Sequence, residues 1–143
     1  MSNEITVQSS LQIRNGSLFY QSRPSSFQAN MTGIRGPTPG SLHIPVSGID
    51  VALSELDRPG GLCRIMNVDP FNYASFGIRD TASNRYFPLG ELLPGESYVL
   101  RLSRILGQDY GTGTGSTPLG QTGVLHMKAP HGAADVIVEA FDA

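Results

Sequence analysis

Gly115 to Thr122, GSTPLGQT, has the glycine spacing of a phosphate-cradling loop, Gly-x-x-x-x-Gly-Lys-Thr, with Gln121 in the lysine position. In such a loop main-chain N–H groups hold the phosphates and the lysine places a charge on them. A helix starting at the Lys-Thr pair directs its dipole at the same point. Here the charge is absent, and GVLHMKAP after Thr122 is too short before Pro130, and too β-branched, to be that helix. The stretch reads instead as part of a long loop of Gly, Thr and Ser from Gln108 to Gly123. Its glycines make it costly to order, and Tyr110 and Leu119 are the side chains able to anchor it.

Other reactive residue types are present without a reactive pattern. His43, His126 and His131 have no close ligand spacing, so only the fold could bring them to one metal, and neither a metal nor a cofactor is expected. Asp50, Glu55, Asp57, Asp69, Asp80, Glu91, Glu96 and Asp109 are scattered. A pair of them could serve glycoside hydrolysis, but the chain has no tryptophan to form a sugar platform. No serine sits in Gly-x-Ser-x-Gly. The single cysteine, Cys63 in GLCRIMNV, is expected to be a buried structural thiol, and alone it can form no intrachain disulfide. No enzyme is predicted from these residues. Asn15-Gly16-Ser17 and Asn30-Met31-Thr32 match the glycosylation pattern, and both are read as chance matches.

The elements that position these residues are short. The chain has 143 residues, which fits one domain, and its 17 glycines and 10 prolines suit many strands joined by turns. Charged residues make up 15% with a net charge of −2 and no basic stripe, so no direct nucleic-acid partner is expected. No apolar run is long enough to span a membrane, and MSNEITVQSS lacks the order of a secretion signal.

Ile5, Val7, Leu11 and Ile13 fall at even spacing. Asn15-Gly16 then predicts a type I′ turn, and Leu18 and Tyr20 resume the alternation, so the chain opens with a β-hairpin. Residues 23–41, broken by Pro24, Pro37 and Pro39, read as an extended segment with a short strand near Phe27–Met31. Residues 1–41 are thus expected to form an arm, and residues 42–143 the body. In the body SLHIPVS, LCRIMNV, YASFGI, RYFPL, SYVLRLSRI, VLHMKA and ADVIVEAF read as strands. IDVALSEL reads as a strand or a short helical turn. Eight to ten strands separated by turn signals predict an all-β, antiparallel β-sandwich, with a jelly roll as the expected topology.

RIMNVDPFNYASFGI and YFPLGELLPGESYVLRL add a family resemblance. A strand ending in Asn-x-Asp, an Asn-Tyr strand, a Leu-x-Pro-Gly-Glu turn and a strand alternating Leu and Arg resemble small virion proteins of tailed DNA bacteriophages. The likeness spans Leu62 to Leu102. It implies a structural role: a capsid cement (decoration) protein on the outside of the head, made in the bacterial cytoplasm. Its partners would be the major capsid protein and further copies of itself, as a dimer or trimer. Neck or tail components of the virion are the alternative within that class. On this reading the arm contacts the partner through Phe19, Tyr20 and Phe27 as apolar anchors, and through Arg14, Arg23 and Arg35 as hydrogen-bonding groups. Outside that class, a carbohydrate-binding sandwich would require Tyr73, Phe76, Tyr86 and Tyr110 on one exposed face. A cupin-like enzyme would require clustered histidines, and His-x-His is absent.

Overall fold

The computed structural model describes residues 4–56, 61–103, 106 and 122–143. Among them there is no helix, and every paired strand is antiparallel. The chain forms two compact units, Met1–Thr32 (with Ala143) and Gly33–Asp142. Residues 33–41, read from sequence as arm, therefore run in the second unit.

The first unit is one long hairpin. β1 (Ile5–Ser9) pairs with β4 (Ser25–Ala29), and β2 (Gln12–Asn15) pairs with β3 (Leu18–Gln21). The Ser22 N–H donates to the Leu11 carbonyl at 2.8 Å and continues the ladder between the two halves. At the tip the two loop residues are Gly16 and Ser17, and only Gly16 has positive φ, at 55°. That is the type II′ pattern one residue beyond the expected Asn15-Gly16 turn, with glycine supplying the first central position. From Ile5 to Asn15 the ribbon runs about 35 Å at the usual rise per residue.

The second unit is a β-sandwich of two four-stranded sheets. β5 (Thr38–Ile44), β7 (Leu62–Asn67), β10 (Ser97–Arg101) and β12 (Ala134–Ala140) form one, in the order β10-β7-β12-β5. β6 (Ile49–Asp50), β8 (Ala74–Asp80), β9 (Tyr86–Leu92) and β11 (Gly123–Lys128) form the other, in the order β6-β11-β8-β9. Alternation places Cys63 and Ile65 of β7 and Val136 and Val138 of β12 inward from the first sheet. Phe76 of β8 and Leu125 and Met127 of β11 meet them from the second, and all seven are buried. β5 begins at Thr38 and contains Pro39, which an edge strand tolerates because its outer N–H groups have no ladder partner.

The best-ordered logic lies in the turns. Asn67, fully buried, donates from Nδ2 to the carbonyls of Asn72 and Leu92, both at 2.9 Å, and accepts the Asp69 N–H at 2.9 Å. Asp69 Oδ1 then accepts the N–H groups of Phe71 and Asn72 at 2.9 and 2.7 Å. These bonds hold the Asp69 carboxyl below its ordinary pKa, Asn72 contributing most. The main chain of Asn67 also pairs with the Pro94-Gly95-Glu96 turn, its N–H donating to Glu96 O and its carbonyl accepting from Gly95 N. The Asn67–Asn72 corner and the Pro94-Gly95-Glu96 turn are thus one hydrogen-bonded unit.

Candidate partner interface

Register shows what the ribbon presents. Directly paired residues share a face, and faces alternate along each strand. Between the Ser9–Ser25 pair and the Leu11–Ser22 link, Ser10 alone stands opposite two residues, Arg23 and Pro24. This is a β-bulge on the return strand, and it absorbs the one-residue difference between the halves. Ile5, Val7, Leu11 and Ile13 on the outgoing strand, and Leu18, Tyr20, Phe27 and Ala29 on the return strand, consequently fall on one side. Thr6, Gln8, Gln12, Arg14, Phe19, Gln21, Ser26 and Gln28 fall on the other. No described residue of the first unit is buried, and Leu11, Ile13, Leu18, Tyr20 and Phe27 are 40–57% exposed.

The residues singled out from sequence divide accordingly. Tyr20 and Phe27 lie on the apolar face, opposite Ile13 and Val7. Phe19 lies on the polar face opposite Arg14, whose guanidinium carbon sits 5.5 Å from the ring centroid. An exposed cation–π contact of this kind contributes about 0.5–1 kcal/mol. Arg23 is in the bulge. Arg35 does not join them: it belongs to the second unit, where its N–H donates to Asp142 Oδ2 at 3.4 Å and its Nη1 donates to the Glu55 carbonyl at 3.2 Å. Leu11, Ile13 and Leu18 join Tyr20 and Phe27 on the apolar face. Their even spacing was visible, but not their place beside Tyr20 and Phe27.

The second sheet carries a polar cluster on its outer face. Arg79 donates from Nε and Nη2 to the two oxygens of Asp50 at 2.8 and 2.6 Å, and from Nη1 to Asn84 Oδ1 at 2.9 Å. His126 Nδ1 lies 2.7 Å from Asp50 Oδ1, and its ring tilts against Tyr86 at 4.8 Å between centroids. The Arg79 hydrogen bonds, with a smaller contribution from His126, hold the Asp50 carboxyl down at about 2. Ser75 Oγ lies 2.8 Å from Tyr86 Oη and donates to the Lys128 carbonyl at 3.2 Å. Ser75 and His126 both contact Tyr86, and His126 meets Asp50, but the serine's bonds run to Tyr86 and Lys128. A Cβ on Gly48 would collide with His126 Nε2, so the Gly48 turn packs directly on that nitrogen. The arrangement joins β6, the two-residue strand bearing Asp50, to its neighbour β11 through His126, and to β8 beyond it through Arg79.

The histidines are apart. His43 pairs with Asp135 at 2.8 Å on the first sheet, His126 lies on the second, and His131 packs edge-on against Tyr73 at 5.2 Å. Among the described residues no group of three or more His, Cys, Asp or Glu could hold a metal ion. Phe76 is buried and Tyr73 and Tyr86 are half-buried, so the face expected of a sugar-binding module does not form from these three; Tyr110 lies outside the described residues. Of the phosphate-loop match only Thr122 is described, and it leads into strand β11 instead of a helix. Cys63 is buried, and desolvation, followed by the charge of Glu139, pushes its thiol up to about 12.

No protein-family model matches the chain, and no curated protein or solved structure matches it either.

Proposed function

We propose that this chain is a virion structural protein: a cement (decoration) protein that binds the outside of a phage head and stabilises contacts between major capsid subunits. One observation carries the reading. The first unit is an antiparallel ribbon about 35 Å long, interrupted by one bulge, that buries none of its described residues and has two chemically different faces. A two-stranded ribbon is marginal in water by itself, so its stability is expected to come from what it lies against. The family resemblance of residues 62–102 supplies the class of partner.

The polar face is the one assigned to the shell. Its glutamine amides offer donors and acceptors to a subunit's main chain, and Arg14 offers a planar fork to a carboxylate beside the apolar ring of Phe19. Each contact is weak, and several arms per oligomer bind tightly through effective concentration. A protein that binds only the assembled shell stabilises it by mass action. For the body we read a jelly roll. Numbering the sandwich strands from one to eight in chain order, the sheets run 6-3-8-1 and 2-7-4-5, the order of two nested Greek keys.

The test is co-sedimentation with purified phage heads, read as copies per major capsid subunit, with a heat challenge on heads lacking the protein. Copies comparable in number to the capsid subunits, and earlier bursting without them, are expected. A few copies per particle would move the protein to the neck or tail, and absence from the particle would overturn the virion reading.

A further inference from the structure

The apolar side of the ribbon has a chemistry that selects its partner. Besides the aliphatic and aromatic side chains, the residues facing that way are Ser9, Asn15, Ser22, Ser25 and Ala29, so the whole face carries no charge. The charged described residues of the unit lie elsewhere: Arg14 on the opposite face, Arg23 in the bulge, and Glu4 before β1. Two such faces can meet with no like-charge cost and no ionised group to desolvate.

We propose that this face is the interface between two copies of the chain, their ribbons packed apolar side to apolar side about a two-fold axis. The inference rests on the assignment of the polar face to the shell and names the partner of the other face. Area supports it. A half-exposed large side chain offers on the order of 100 Å². Leu11, Ile13, Leu18, Tyr20 and Phe27 from each copy therefore bring together roughly 1,000 Å², the size at which specific interfaces begin. Geometry agrees, because two strands alone are marginal whereas four strands in two layers enclose an apolar interior. In a two-fold arrangement each patch meets itself, so Tyr20 and Ile13, paired across the ribbon, contribute twice.

Sedimentation velocity of the full chain over a concentration series tests this without any phage particle. Dimers are expected at micromolar concentration. Combining Ile13→Ser with Tyr20→Ser is expected to raise the dissociation constant about a hundredfold or more. Val99→Ser removes an exposed apolar side chain from the sandwich and is expected to leave the dimer unchanged. Continued protection of Cys63 from thiol reagents would show that the body stays folded in every variant. A monomeric wild type, a dimer unmoved by the double substitution, or a dimer lost on Val99→Ser would each overturn the proposal. A monomer that still co-sediments with heads would remove the dimer and leave the cement reading intact. A ribbon-dependent dimer that never binds heads would do the reverse.

Discussion

Asn67 Nδ2 lies 2.9 Å from the carbonyl oxygen of Leu92, and the Asn67 main chain is bonded in both directions to the turn that follows Leu92. One buried amide thus joins the β7–β8 and β9–β10 connections. Replacing it with alanine leaves the Asn72 and Leu92 carbonyls and the Asp69 N–H without this partner. Asn67→Ala is expected to lower stability by roughly 2–4 kcal/mol. Urea unfolding checks this as a lower midpoint at unchanged slope. Asn67→Asp is expected to do no better, because a carboxylate cannot donate to the two carbonyls.

Asp50 predicts an acid limb in the stability profile. Its carboxyl lies at about 2 in the folded protein against 3.8 for the free group. A depressed folded pKa stabilises above the unfolded value, so this contribution is present above pH 3.8 and is lost as pH falls towards about 2. The side chain is partly exposed, which screens the pair and keeps the slope modest. Chemical unfolding at a series of pH values should show the wild type approaching Asp50→Asn across this window. A constant difference would argue against the pair as its source.

Cys63 is expected to resist alkylation in the folded state. Its thiol is pushed up to about 12 and its side chain is almost wholly buried, so the reactive thiolate is both scarce and inaccessible. Labelling with iodoacetamide near neutral pH should follow the opening of the body, and it should accelerate with added urea as unfolding does. Fast labelling of native protein would contradict the packing of β7.

Two glycines are expected to respond differently to alanine. At Gly77, beside the irregularity in the β8–β9 register, an added Cβ would run into the Phe87 carbonyl and the Pro88 and Leu89 main chain. Gly77→Ala is expected to cost about 3 kcal/mol or more, because backbone must move. Gly95 has φ of +84° with open space around the missing Cβ. Gly95→Ala is expected to cost roughly 1–2 kcal/mol, from backbone strain alone. Thermal unfolding of the two variants checks the order.

Much of the fold was legible because alternation and turn residues act locally. Cys63, Ile65, Val136 and Val138 announce buried strand faces by spacing. What stayed hidden depends on distance in the chain or on strand context. Asn67 occupies an inward position of β7, yet its partner Leu92 is 25 residues away, and no spacing rule connects them. Asp50 and His126 meet across 76 residues. The start of β5 was masked by Pro37 and Pro39, which signal a loop unless the strand is known to be an edge. In the ribbon, Leu18 and Tyr20 have even numbers and Phe27 and Ala29 odd ones, so a count along the chain sets them on opposite sides. Only the bulge at Arg23 and Pro24 reunites them.

That bulge also governs which length changes the ribbon can accept. Deleting Arg23 would turn the bulged ribbon into a regular one with every facing pair preserved, losing only local twist. Deleting a single residue within β3 or β4 instead would send half of the return strand to the wrong side, unless a second change compensated. Related ribbons should therefore differ by single-residue indels at the bulge and by paired indels elsewhere, so that length can change while the two faces keep their identities.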